Sequence, residues 1–231
     1  VTGFRVRETR ALELMDDPAC DLIRLEATYR HFRLVNRLLT GWRGLWAHRI
    51  RPLAGAGRLE VLDLGSGGGD LARLLAGWAR REGVRLRVTA ADPDPRAYAF
   101  AARRPHPDVV LRCAGSAELV AEGARFDLVI SNHVLHHLDD RSLGAFLADS
   151  AALAPRVLHD DLRRSALAAA LFGVVSLPFA RGSFLRDDGL LSIRRSRTPA
   201  ELRAAVPEGW RVERAAPFRL LLGRGWDGGT A

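Results

Sequence analysis

Two short stretches of this chain hold residues whose types and spacing could do chemistry. The first, LEVLDLGSGGGDLARLLAGWARR over residues 59–81, packs four glycines into five positions between an apolar run and an amphipathic one. Bare backbone there lets a ligand approach more closely than side chains would permit. The second, FDLVISNHVLHHLDD over residues 126–140, carries His133, His136 and His137 ahead of two aspartates. If that stretch enters a helix, the three imidazoles sit at i, i+3 and i+4 on one side. A neutral imidazole near pH 7 suits removal of a proton from a hydroxyl such as a phenol, whose own pKa is near 10. The bland readings are solvated or structural histidines, or a helix cap formed by HHLDD. A metal site is the minor reading, because no further ligand set is evident in the sequence, and none is expected.

The glycine loop fits a dinucleotide, a mononucleotide or a cofactor without phosphate, and its acids discriminate among them. A G-x-G-x-x-G fingerprint counted from Gly65 puts Asp70 at the third glycine position, where a carboxylate would repel a pyrophosphate. A phosphate-binding P-loop needs a lysine, and the chain has none. A cation suits the loop better. Asp63 at the strand end and Asp70 at the helix start would flank an ammonium or sulfonium, although an acid in a first helical turn also has a purely structural use. Asp92, at the end of the next strand, is placed to accept hydrogen bonds from ribose hydroxyls. A nucleoside with a positive, phosphate-free arm is S-adenosylmethionine, whose product is S-adenosylhomocysteine.

The elements that must position these residues alternate. Strands are expected at 59–64, 86–92, 108–114, 126–131 and 156–160, with helices at 70–81, 96–103 and 139–153 between them, which implies βαβ units and a parallel sheet. TPAELRAAV (198–206) opens with a Thr cap, Pro at the first helical position and Glu201 three residues after the cap. Residues 210–223 read as two strands that close the sheet edge as an antiparallel pair. Ahead of the sheet, residues 8–50 read as helices, with Leu22, Leu25, Tyr29, Phe32, Val35, Leu38 and Leu39 on one apolar face. The uncharged stretch 165–180 reads as a buried or lid helix, too short to span a membrane and holding Pro178.

In this order and spacing VLDLGSGGGDLARLLA, VTAADPDP, CAGSAELV and FDLVISNHVLHHLDD resemble the class I S-adenosylmethionine-dependent methyltransferases. They are most similar to the small-molecule branch called methyltransferase type 11 or UbiE-like. The resemblance covers about residues 58–162. It implies a Rossmann-like α/β fold with a seven-stranded, mostly parallel sheet and an antiparallel C-terminal edge. It also implies an N-terminal helical cap (1–57) on a core (58–231) that includes a lid insert (163–197). Asp63, Gly65 and Gly67 would contact the methionine part and Asp92 the ribose, while Ser116 and Ala117 would line the adenine edge. Ser66, Asp70, Pro93 and Asn132 complete the expected cofactor site. Where the family often has Asp, this chain has Ser116, so a hydroxyl or a backbone carbonyl would hold the adenine amino group. The turn before strand five is APR (154–156) rather than the usual PGG. His136 and His137, with Asp161 as orienter, are the expected catalytic residues. Tyr29, Phe32, Asn36 and His133 are the expected acceptor contacts, facing the apolar insert.

The resemblance implies methyl transfer to a small, largely apolar acceptor, a phenolic hydroxyl of a polyketide-like or secondary metabolite first. C-methylation of a quinone precursor shares the same signature. The Asn/Asp-Pro-Pro-Tyr/Phe motif of base-methylating relatives is replaced by SNHVLHH, which argues against that branch. A basic nucleic-acid-binding or RNA-modifying module remains an alternative because the formal net charge is +8. All 35 basic residues are arginine and they are spread along the chain, so a composition-biased, solvated surface is the plainer reading and no stable nucleic-acid partner is expected. Cys20 and Cys113 match no metal or redox spacing, and no apolar leader is visible, so a cytoplasmic location is expected. The sequence leaves monomer and homodimer open.

Overall fold

The computed structural model describes residues 2–38, 41–55 and 57–226, the side chains of residues 2 and 35–38 lying outside that description. Seven strands form one sheet: β1 (Leu59–Leu64), β2 (Leu86–Ala91), β3 (Val109–Arg112), β4 (Leu128–Asn132), β5 (Arg156–Leu162), β6 (Arg211–Ala215) and β7 (Arg219–Arg224). Their order is β3-β2-β1-β4-β5-β7-β6. The first five strands are parallel, and β7 runs antiparallel to both β5 and β6. The strand order reverses beside β1 and β4, and in open α/β sheets ligands bind at the carboxyl ends of the strands at that point. The glycine loop follows β1 and the histidine stretch follows β4, so topology alone brings the two motifs together.

β1 is buried on both faces because helices cover both sides of a parallel sheet. The helix after the glycine loop, Asp70–Arg81, lays Leu71, Leu75 and Trp78 onto the core shared with Val61, Val88 and Ile130. The helices are α1 (Leu22–Leu38), α2 (Trp42–Leu45), α3 (Asp70–Arg81), α4 (Pro95–Ala102), α5 (Ser116–Ala121), α6 (Asp140–Leu153), α7 (Ala166–Val175), α8 (Leu185–Arg195) and α9 (Pro199–Ala205). Their starts obey capping chemistry. Asp94 accepts from the Arg96 N–H ahead of α4, and Thr198 and Glu201 form the expected capping box at α9. The shortened APR turn still delivers β5, which pairs with β4 from Arg156 to Asp160.

Several expectations are corrected. Residues 8–21 are not helical. They run as an irregular strap with one 3₁₀ turn at Leu14–Asp16, because their apolar residues follow no helical period. On α1 the apolar face is partial: Leu25 and Tyr29 are buried but Leu22 is 55% exposed. Of the two readings of the 165–180 stretch, the buried helix is the one set aside: α7 buries Ala168 and Ala169, while Leu167, Val174, Val175 and Leu177 are each more than half exposed. The arginine surplus is not all surface either. Arg164, Arg195, Arg197 and Arg219 are buried. Among the described residues, no helix is long and apolar enough to cross a membrane.

Trp42, Trp46 and Ile50 lie in the same core as β1 and β2, so the segment ahead of the sheet is packed into it. α8 rests on the strap and on the histidine turn: Asp188 accepts from the N–H groups of Leu14 (2.7 Å) and Met15 (3.0 Å). The strap therefore crosses the carboxyl end of the sheet, held by α8 from the insert.

Candidate active site

A single cavity of about 850 Å³ lies over the carboxyl ends of β1, β2 and β4. Asp63, Gly65, Asp92 and Ser116 line it, as do Glu13, His136 and His137. Tyr29, Phe32, Leu171 and Phe172 add apolar surface to the same cavity.

The glycine loop is shaped by contacts that only glycine permits. Gly65 has φ +67°, and a Cβ there would lie 2.6 Å from Val134 Cγ2. The loop thus packs directly on the histidine stretch. Arg73 ties the loop from behind, its guanidinium donating to the Gly68 (2.7 Å) and Gly69 (2.8 Å) carbonyls. Asp92 Oδ2 accepts from the Gly67 N–H at 2.7 Å and Oδ1 from the Asp94 N–H at 2.9 Å. These bonds orient the carboxylate, and its remaining lone pairs are free for a ligand. Asp63 is 1% exposed and its Oδ2 has no hydrogen-bond partner. Burial, then the neighbouring Asp70 and Asp92, raises its pKa well above the usual carboxylate range. A buried, unpartnered carboxyl oxygen beside two further acids is a site for a cation.

Ser66, Asp70, Pro93 and Asn132 also line the cavity. Asn132 Oδ1 accepts from Trp42 Nε1 at 2.9 Å. Ser116 lines it too, but its hydroxyl donates to Asp149 Oδ2 at 2.7 Å. An adenine edge would therefore meet the Ala114–Ser116 backbone more directly than that hydroxyl. Ala117 is exposed and does not line the cavity, because α5 begins at Ser116 and turns it outward. Of the expected acceptor contacts, Tyr29, Phe32 and His133 line the cavity. Asn36 has its side chain outside the described set.

The histidine stretch does not enter a helix. His133 has φ +59°, a left-handed conformation that non-glycine residues seldom adopt, and Leu135–His137 form one 3₁₀ turn. The N–H of His133 donates to the Asp160 carbonyl at 2.8 Å, which continues the β4–β5 pairing and turns the chain. Arginines then hold the turn's carbonyls: Arg7 bonds those of His136 (3.2 Å) and Leu138 (2.8 Å), Arg195 that of His137 (3.3 Å) and Arg197 that of Leu135 (3.0 Å).

His136 Nδ1 is 2.7 Å from Asp161 Oδ1, as the orienter role required. The strap adds what the sequence did not reveal. Glu13, 3% exposed, places Oε1 3.4 Å from His136 Nε2 and Oε2 3.8 Å from His137 Nε2. Burial alone would lower the His136 pKa, but Asp161 and Glu13 outweigh it and raise it to about 10. Burial pushes Glu13 up, and its hydrogen bond and charge pairing with His136 bring it to about 2. With no cation beside them, Asp161 and Glu13 therefore favour the protonated form of His136, which speaks against its expected role as a neutral base. His137 is 28% exposed at its side chain, with Nδ1 3.1 Å from Asp16 Oδ2. Burial lowers His133 to about 4, and its Nε2 is buried without a partner.

Comparison with known proteins bears on the domain and the fold. Residues 61–156 match the family model described as a methyltransferase domain. A sequence search of curated proteins found no match. Among solved structures, the fold is similar to the plantazolicin methyltransferase BpumL in complex with SAH, with TM-score 0.64, 12% identity, and 91% of this chain and 90% of that one covered. It is also similar to the magnesium protoporphyrin IX methyltransferase ChlM from Synechocystis PCC 6803 with bound SAM, with TM-score 0.52, 16% identity and coverage of 94% and 100%. A DhpI-SAM-HEP complex aligns with TM-score 0.50, 19% identity and coverage of 89% and 99%. The fold is the Rossmann-like fold of class I methyltransferases.

Proposed function

We propose that this chain, whose residues 61–156 match a methyltransferase domain, transfers a methyl group from S-adenosylmethionine to a hydroxyl oxygen of a small, largely apolar acceptor, most fittingly a phenol. One observation carries this reading. One cavity is lined together by a buried carboxyl oxygen of Asp63 that lacks a hydrogen-bond partner, the glycine loop, a histidine–carboxylate cluster and apolar side chains. Asp63 takes the cofactor's ammonium, the backbone of Gly65–Gly67 admits its methionine arm, and Asp92 accepts the ribose hydroxyls. The sulfonium methyl then faces the His133–His137 turn.

Transfer is an in-line displacement: the acceptor oxygen bonds the methyl carbon as the carbon–sulfur bond breaks, leaving a neutral thioether. The enzyme's work is alignment and removal of the hydroxyl proton. His137, the histidine of the pair with its ring partly open to the cavity, takes that proton, and Asp16 and Glu13 stabilise the resulting charge. His136 holds Glu13 and Asp161 in place. His133 Nε2 supplies a hydrogen-bond partner for the acceptor. Leu171, Phe172 and Val175 of α7 line the cavity, which accounts for an apolar helix left partly open. Incubation with S-adenosylmethionine and a panel of phenols tests the reading by mass spectrometry. An O-methylated phenol supports it, and a product methylated only on carbon replaces it with C-methylation.

The ionisation of Asp63 makes a second outcome measurable. The empty site favours its protonated form, whereas a bound ammonium favours the carboxylate. Affinity for S-adenosylhomocysteine should therefore rise as pH rises through the Asp63 titration and then level off. Titrations in a pH series check this, and Asp63→Asn should both weaken binding and flatten the dependence.

A further inference from the structure

We propose that Glu13, His136 and His137 form a binding site for one divalent first-row transition-metal ion at the acceptor end of the cavity. The three residues offer a carboxylate and two imidazole nitrogens within 4.8 Å of one another. Glu13 Oε1 and His136 Nε2 are 3.4 Å apart, and Glu13 Oε2 and His137 Nε2 are 3.8 Å apart. An ion bound by nitrogen and oxygen at about 2.0–2.2 Å in tetrahedral geometry separates its ligand atoms by about 3.4 Å. These two pairs already stand near that spacing, and the ion would displace the proton that His136 Nε2 otherwise holds toward Glu13.

The surrounding contacts support the assignment independently. Each histidine has its Nδ1 beside a different carboxylate, His136 on Asp161 (2.7 Å) and His137 on Asp16 (3.1 Å), and each turns Nε2 toward Glu13. Metal-ligating histidines are held in this way, with the second ring nitrogen donating to a carboxylate that fixes the tautomer and strengthens the ligand. Ser192 Oγ donates to Glu13 Oε1 at 2.9 Å and fixes that carboxylate. The Arg195 guanidinium lies 4.0 Å from Glu13 and 3.8 Å from Asp16. Among the described residues Arg195 is the one guanidinium within 4.0 Å of Glu13 and Asp16. Arg7 and Arg197 bind backbone carbonyls of the histidine turn instead, so Glu13, Asp16 and Asp161 leave room for a dication. Two imidazoles and one carboxylate suit zinc, manganese, iron or cobalt rather than calcium or magnesium. All three ligands line the cavity, so the remaining coordination positions open toward the acceptor. A bound ion would hold the acceptor oxygen and lower its pKa; His137 Nε2 would then be a ligand, and the acceptor proton would pass to solvent rather than to His137. That use of the site rests on the methyl-transfer reading, whereas binding of the ion does not.

Untagged protein stripped with a chelator and titrated with Zn²⁺ and with Co²⁺ tests the proposal, with the Co²⁺ absorption spectrum reporting nitrogen ligation. The expected result is one ion per chain. Glu13→Gln and His137→Ala should each weaken binding at least tenfold, and Asp16→Asn should weaken it about 10- to 100-fold. His106→Ala, remote from the cavity, should leave it unchanged. His137 is partly exposed, so its variant stays foldable where one at buried His136 is less secure. Wild-type protein that binds no more tightly than the His137→Ala variant overturns the site. S-adenosylhomocysteine titrated in parallel separates the two claims. Cofactor binding without metal binding sinks the metal site alone, and metal binding without cofactor binding sinks the methyl-transfer reading alone.

Discussion

Replacing Asp92 with alanine should weaken S-adenosylhomocysteine binding about 100-fold while leaving the protein folded. Asp92 ends β2, and its two oxygens are aimed by the N–H groups of Gly67 and Asp94. A ribose brings two hydroxyls to the carboxylate lone pairs those bonds leave free. Hydrogen bonds to a charged group contribute about 1.5–3 kcal/mol each. With partial compensation by water, losing two gives about 3 kcal/mol, or roughly two decades in affinity. The fold does not depend on this charge. Burial raises the Asp92 pKa, so the ionised form is less favourable in the folded protein than in the unfolded chain, and stability falls as pH rises through that titration. A melting temperature near wild type, beside a large loss of affinity in calorimetry, is the expected pair of results. Asp92→Asn, which keeps the shape and loses the charge, should fall between.

The second large effect concerns turnover. His137→Ala should lower kcat by about 10²- to 10⁴-fold, the range of a positioned proton acceptor, with little change in cofactor affinity. Glu13→Gln should do the same through a different cause. Glu13 reaches both histidines from the strap, and the neutral amide cannot stabilise positive charge on His137 or serve as an anionic ligand. It also leaves the buried His136 with Asp161 alone, so this variant should be less stable than His137→Ala, since removing one partner of a buried charge pair is costly. Single-turnover assays at saturating S-adenosylmethionine separate the chemical step from binding. An unchanged rate in both variants would remove the cluster from the mechanism.

The sheet and its ligand loop were legible because their signals are local. The apolar run of β1, the glycines at 65–69 and the apolar face of α3 are adjacent in sequence, and the switch from strand to helix period marks each boundary. Asp63 and Asp92 followed from positions at strand ends, where a parallel sheet gathers its functional groups, whereas the His136–Asp161 pair was implied by the family resemblance. The part that was not legible depends on contacts between distant segments. Glu13 stands in a strap with no helical or strand period, so nothing near it signals a site. Its arrival beside His136 favours the protonated ring over the neutral one. The buried arginines were masked for a similar reason. A composition rich in arginine reads as solvated surface, yet buried Arg195 and Arg197, with the partly buried Arg7, satisfy the backbone carbonyls of a tight histidine turn. The left-handed backbone at His133 was hidden too, because only the β4–β5 pairing requires it.

The central claim is that the cavity over β1, β2 and β4 holds an adenosyl cofactor with a cationic arm. Calorimetric titration of the wild-type protein with S-adenosylhomocysteine, and separately with NADH, tests it most directly. Saturable one-to-one binding of the first with no binding of the second is the predicted result. NADH binding in place of S-adenosylhomocysteine would contradict it, because a pyrophosphate would then be tolerated beside Asp63 and Asp70.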